Sequence, residues 1–251
     1  MPRRGTPVGL IVGIVVVALL LCGGVAGAVV YLATRMRTAT HQLTQVPPPV
    51  TPTATGAATP GGGGSDCRAT TRSGGSVRAV GQPDFAGAPR TGTATMTLRT
   101  NQGTIVVAMD RAKTPCTVAS FAYLAGKKFF DSTSCHRLVT EGIFVLQCGD
   151  PAGDGTGGPD YQFGDEDLAN AKYGRGVVAM ANAGPDTNGS QFFIVFQDTP
   201  LPPQYTAFGT VTSGLDVVDR VAAAGHDNAF GSAAGGGHPK LPVTLTSVTV
   251  S

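Results

Sequence analysis

The apolar pattern changes sharply along the chain. Residues 8–34 carry no charged side chain, are rich in Val, Leu and Ile, and are flanked by Arg3 and Arg4 on one side and Arg35 and Arg37 on the other. That run is longer than the roughly 20 residues a spanning helix needs, and longer than the roughly 7–15 of a signal-peptide apolar region. It predicts a single transmembrane anchor over 8–34, preceded by a short basic segment at 1–7. The positive-inside rule barely orients it, because two Arg stand on each side. Residues 38–65 are Thr, Pro, Ala and Gly without charge, and 66–91 remain rich in Gly, Arg and Ser with no period. Such composition buries too little apolar surface to offset chain entropy, so 35–91 is expected to be a linker.

From Thr93 onward, short apolar and β-branched runs are punctuated by Gly, Pro, Asn and Asp, the signature of a β-rich domain over 92–251. The runs 94–99 and 104–109 flank Asn101-Gln102-Gly103, a hairpin signal. Thr114-Pro115 then opens a helix whose Val118, Phe121, Ala122 and Ala125 share one face, with Gly126 as the stop. Further strands are predicted at 136–140, 144–148, 177–181, 192–196, 207–211 and 243–250, and a second helix at 215–224, where Val217, Val218 and Val221 group together. Many antiparallel strands with two helices favour a closed barrel, which leaves no exposed edge.

Composition then narrows the partners. The formal charge is +2, but Arg3, Arg4, Arg35 and Arg37 belong to residues 1–65, which contain no acid, so 66–251 holds 14 basic and 16 acidic side chains. A nucleic-acid footprint needs clustered basic residues on the binding domain; none is visible, and nucleic acid is excluded as a partner. Cys67, Cys116, Cys135 and Cys148 lie beyond the apolar run. Their even number is compatible with two disulfides in an oxidising compartment, and equally with buried free thiols acting as small hydrophobes. A pairing of Cys135 with Cys148 requires that their segments form a hairpin. Asp160, Asp165, Glu166 and Asp167 read as a solvated acidic face, and Gly153 to Gly158 as a surface loop.

The chemistry concentrates in two stretches. His136-Arg137 precedes a run ending Val145-Leu146-Gln147-Cys148-Gly149-Asp150, and residues 180–196 read MANAGPDTNGSQFFIVF. Together they offer one Arg, two Gln, an Asn and several Phe, with no carboxylate pair and no metal-ligand spacing. That inventory suits holding a peptide better than hydrolysing one.

These residues resemble those of the cyclophilins, the barrel family of peptidyl-prolyl cis-trans isomerases. The likeness covers about 92–251; its most specific element is the run from Met180 to Phe193, supported by His136-Arg137, Gln147-Cys148-Gly149-Asp150, Gly155-Thr156-Gly157-Gly158 and Phe208-Gly209. The resemblance implies a mainly β fold, a closed eight-stranded antiparallel barrel capped by two helices. It implies that Arg137 is the catalytic arginine and that Gln147 and Gln191 lie near the substrate backbone. Phe144, Phe193 and Leu201 match walls of a proline pocket, Val145 takes the place of a pocket methionine, and Ala181, Asn182 and Ala183 match the strand edge that pairs with substrate. His136 precedes the arginine in a positional role, and Phe192 faces the core.

No cofactor and no metal are implied; the partners would be proline-containing peptides and folding proteins, and the domain a monomer. Two departures stand out. Nine residues separate Arg137 from Gln147, two more than is familiar in the family, and Pro200 stands where many members carry a Trp that donates to cyclosporin. The expected protein is therefore a single-pass cell-membrane isomerase, its domain on the extracytoplasmic side, serving exported or surface proteins. A groove kept as a non-catalytic peptide-binding or scaffolding module is the alternative.

Overall fold

The structure, a computed structural model, describes residues 67–74, 76–231 and 235–251. The expected anchor at 8–34, the segment 1–7 and the first part of the linker lie outside these residues. Among the described residues, no helix is long and apolar enough to cross a membrane.

Residues 67–74 and 76–91, expected to continue the linker, instead pack on the domain that follows. They form β1 (Ala69–Thr71) and β2 (Val77–Arg78), and Phe85 is buried in the main core with its ring against Tyr161 and Phe163. Composition alone missed this because the segment draws its order from distant partners. The chain continues through the hairpin β3 (Thr93–Thr100) and β4 (Gly103–Asp110), helix α1 (Pro115–Gly126), and β5 (Thr133–Ser134), β6 (Arg137–Val139) and β7 (Val145–Cys148). After β8 (Gly158–Pro159), β9 (Tyr161–Phe163), β10 (Val177–Met180), β11 (Phe192–Val195) and β12 (Ala207–Ser213) come helix α2 (Leu215–Ala224) and β13 (Thr244–Val250).

Nine strands make one sheet in the order β5-β13-β3-β4-β12-β10-β11-β7-β6, so the expected closed eight-stranded barrel is instead a curled, open one. The short strands β5 and β6 form the two edges, which do not pair with each other. Among the described residues, the edge at β6 is met by the bridge from Leu138 to Gly237, in the loop before β13. β1 pairs antiparallel with β9 and β2 parallel with β8, each as a separate two-stranded ribbon.

Alternation along the strands divides the apolar residues between two clusters. Leu138, Leu146, Phe192, Ile194, Val178 and Met180 join the main core beneath α1 and α2, where Phe121 stacks on Phe130 at 5.5 Å and lies 4.8 Å from Phe208. Val139, Val145, Ala179, Phe193 and Val195 point to the opposite face and form a second cluster with Tyr173. That second face carries the groove.

Helix α1 starts as predicted, but Thr114 does not cap it: its hydroxyl donates to the Asp110 carbonyl at 2.8 Å. The backbone N–H groups of Cys116 and Thr117 donate instead to the Glu166 carboxylate at 2.9 and 2.8 Å. A carboxylate is favoured there by the helix dipole and the unpaired first-turn N–H groups. Glu166 is therefore buried, contrary to the solvated acidic face expected for it. Asp160 of the same group accepts from the N–H groups of Val80 and Gly81 at 3.0 and 3.3 Å and holds the N-terminal segment down.

All four cysteines beyond the apolar run are paired, Cys67 with Cys116 and Cys135 with Cys148. The first ties the N-terminal segment to α1. The second bridges the ends of the β6–β7 hairpin.

Candidate active site

Register explains how the site is assembled. Arg137 lies opposite Gln147, Gln147 opposite Phe193, and Phe193 opposite Ala179, so one row crosses four strands. Residues directly opposite in antiparallel strands share a face, which places the guanidinium, the amide and the phenyl ring together.

A compartment of about 180 Å³ opens on this row, lined by Arg137, Ile143, Val145, Gln147, Ala181, Asn182, Phe193, Leu201 and Tyr205. Its floor is apolar: Val145 and Phe193 are buried, and the Phe193 ring meets Tyr205 edge-on at 5.6 Å. Arg137 supplies the cation at its rim. The Nε of Arg137 donates to the Gly235 carbonyl at 3.2 Å and Nη1 to Gln147 Oε1 at 3.1 Å. Burial lowers its pKa below the usual value, opposed by Tyr205, yet a guanidinium remains a cation at neutral pH.

The hydrogen bonds run on from there. Gln147 Nε2 donates to Gln191 Oε1 at 2.9 Å, and Gln191 Nε2 donates to the carbonyls of Gly155 and Gly157, each at 2.9 Å. The Gly-rich loop, expected as a surface loop, rims the groove. What shapes it is Asp150, buried, accepting from the N–H groups of Ala152, Asp154 and Gly155 at 2.7, 3.1 and 2.6 Å. A second compartment, lined in part by Gly155, Gly157, Thr187 and Gln191, shares Gln147, Ala181 and Asn182 with the first, so the two form one groove.

Of the residues predicted from sequence, Arg137, Val145, Gln147, Ala181, Asn182, Phe193 and Leu201 line the first compartment, and Ala183 and Gln191 the second. Phe144 and His136 line neither. Phe144 packs against the main core with its ring 6.0 Å from Phe196, because neighbouring strand positions face opposite ways and Val145 takes the groove side. The longer 138–146 segment brings Ile143 to the wall instead. His136 is buried near Gly155, and neither ring nitrogen has a hydrogen-bond partner among the described residues. Burial holds its pKa below 6.5, more than offsetting the opposing effect of Asp150. Ile143 and Tyr205 were not predicted, and no local signal marked either. Arg72, which lines the second compartment, left none.

The profile described as cyclophilin type peptidyl-prolyl cis-trans isomerase/CLD matches residues 95–250. Among curated relatives, the probable peptidyl-prolyl cis-trans isomerase B of Mycobacterium tuberculosis (strain H37Rv) is 51% identical over 166 residues, covering 59% of this chain and 52% of that protein. The chain thus spans about half the length of that relative. The probable peptidyl-prolyl cis-trans isomerase A of Mycobacterium leprae is 40% identical over 177 residues, covering 63% of this chain and 92% of the relative. Among solved structures, a cyclophilin type peptidyl-prolyl cis-trans isomerase of Cryptosporidium parvum, crystallised in the presence of the dipeptide Ala-Pro, aligns with a TM-score of 0.56 at 27% identity, over 62% of this chain and 98% of its own. With the profile spanning more than half of the residues and a solved member sharing the fold, the chain belongs to the cyclophilin-type peptidyl-prolyl cis-trans isomerase family.

Proposed function

We propose that this chain accelerates cis-trans isomerisation of X-Pro bonds in peptides and folding proteins. The observation that carries the reading is the row in which Arg137 stands at the rim of an apolar compartment floored by Phe193 and Val145. The reaction faces a resonance barrier of about 18–20 kcal/mol and takes tens to hundreds of seconds unaided. A proline ring seated against Phe193, Leu201 and Val145 is held still while the preceding carbonyl rotates. As the bond twists, the proline nitrogen loses conjugation and becomes a hydrogen-bond acceptor, and the Arg137 guanidinium is the donor for it. That donor is useful only in the twisted state, which is the condition for lowering a barrier. Gln147 holds the guanidinium and is itself held by Gln191, and the two amides lie along the substrate backbone.

The chain acts, in this reading, as a monomer tethered in the cell membrane through the apolar run 8–34, with its domain on the extracytoplasmic side and exported or surface proteins as its substrates. The length and composition of that run support the tether. The two disulfides support an oxidising compartment.

The test is isomerisation of a short X-Pro peptide by the full chain in detergent, wild type beside Arg137→Ala. The expected result is turnover well above background that falls about 10²- to 10³-fold in the variant, the range for removing one preorganised donor. A folded wild type that binds the peptide without accelerating its isomerisation would leave a peptide-binding module in place of an enzyme.

A further inference from the structure

We propose that Arg72, which precedes the matched domain, is a specificity residue of the groove, selecting substrates with a carboxylate side chain within about three residues of the proline. The inference rests on the isomerase reading above and adds a substrate class to it.

Arg72 is held in place from both sides. Cys67 is bonded to Cys116, and β1, ending at Thr71, pairs with β9. The Arg72 N–H donates to the Asp160 carbonyl at 3.1 Å, and β2 pairs with β8 a few residues later. The side chain is half-buried, and its Nη2 donates to the Thr156 carbonyl at 2.5 Å. Nη1 crosses so close over Gly158 that a Cβ there would lie 1.8 Å from it, so the placement depends on a glycine at 158.

The guanidinium is the one charged group among the residues lining the second compartment; the others are Gly, Ala, Ser, Thr, Asn and Gln. Among the described residues it makes no ion pair. The carboxylate of Asp154 is engaged elsewhere, accepting from the N–H and hydroxyl of Thr156 at 2.8 and 2.7 Å. A half-buried cation with its Thr156 bond made still has several N–H donors in a fixed fork suited to a carboxylate. Because the two compartments share Gln147, Ala181 and Asn182, an extended peptide seated at the first reaches the second within a few residues at about 3.3–3.6 Å per residue.

The experiment measures kcat/KM of the full chain in detergent for X-Pro peptides bearing Glu, Gln or Lys at one, two or three positions to either side of the proline. At one of these positions Glu is expected to exceed Gln by about three- to tenfold, as for a partly exposed charge-assisted pair, with Lys below Gln. High salt should shrink the ratio. Arg72→Ala should bring Glu and Gln together, Arg72→Lys should keep most of the preference, and Arg72→Glu should move it to Lys. A role confined to bracing the Thr156 loop would alter rates for all three peptides alike and would not invert their order. Equal Glu and Gln rates at every position in the wild type, or an unchanged ratio in Arg72→Ala, overturns the proposal. Should no peptide be isomerised, the isomerase reading fails on its own, and the affinities of the Glu and Gln peptides for wild type and Arg72→Ala then decide the charge preference: a ratio lost in the variant upholds it, and equal affinities overturn it.

Discussion

The guanidinium of Arg137 and the amide of Gln147 meet across the β6–β7 hairpin, with Nη1 donating to Oε1 at 3.1 Å. The bond uses the acceptor of Gln147 and leaves its amide nitrogen to bond Gln191. Both amides are thereby fixed in one orientation, and the loop carbonyls of Gly155 and Gly157 anchor the far end. The cation at the proline compartment is thus aimed by a chain of neutral groups, none of which titrates.

That arrangement predicts energetic coupling. In a double-mutant cycle on kcat/KM, Arg137→Ala combined with Gln147→Ala should lose less than the sum of the single losses, by about 0.5–3 kcal/mol. Additive losses would mean that Gln147 contacts substrate without positioning the arginine.

The disulfide from Cys135 to Cys148 closes a loop with a sequence separation of 13, and that from Cys67 to Cys116 one of 49. Replacing either pair with serine should cost about 2–4 kcal/mol, read as a lowered urea midpoint. The Cys67/Cys116 replacement should also expose the 67–91 segment to protease. Unchanged protection there would show that strand pairing and Phe85 suffice to hold it.

His136 gives a pH dependence of definite sign. Burial places its folded pKa below 6.5, so between those two values the unfolded state binds more protons and stability rises with pH. The native state is therefore penalised as pH falls below 6.5 and is not penalised above it. Wild type should lose more Tm between pH 7.5 and pH 5.5 than His136→Phe does. Equal losses would assign the acid sensitivity to other groups.

Gly149 has φ of 88°, and a Cβ on it would sit 2.3 Å from the Ser190 carbonyl oxygen. Ser190 in turn donates its hydroxyl to the Gly149 carbonyl at 2.7 Å. Gly149→Ala should destabilise the domain by about 1–3 kcal/mol and lower kcat as well, because the clash separates the end of β7, which carries Gln147, from Gln191 just before β11. A normal kcat at reduced stability would separate the turn from the site.

Much of the site was legible because its signals are local. Phe192 and Phe193 alternate on β11, so one falls to the core and one to the groove; Phe192 joins the main core and Phe193 the groove face, the assignment that the resemblance implied. Arg137, Gln147 and Gln191 were legible because the stretches that carry them resemble the family's motifs. Phe144 lines neither compartment because motif matching put it in the pocket together with its neighbour Val145, whereas adjacent strand positions face opposite ways. Arg72 was missed because nothing adjacent to it marks a ligand site.

The sequence by itself determined the β-rich domain and both helices, since burial of one strand or helix face writes a period into neighbouring positions, and its family-like motifs singled out the polar residues of the groove. Only the tertiary structure decided that the sheet stays open, that Glu166 caps α1 from 50 positions away, and that Arg72 bonds Thr156 across 84. The reason is physical: contacts between distant segments require complementary chemistry at two places but impose no spacing on either, so they become readable only when the chain has folded and brought them together.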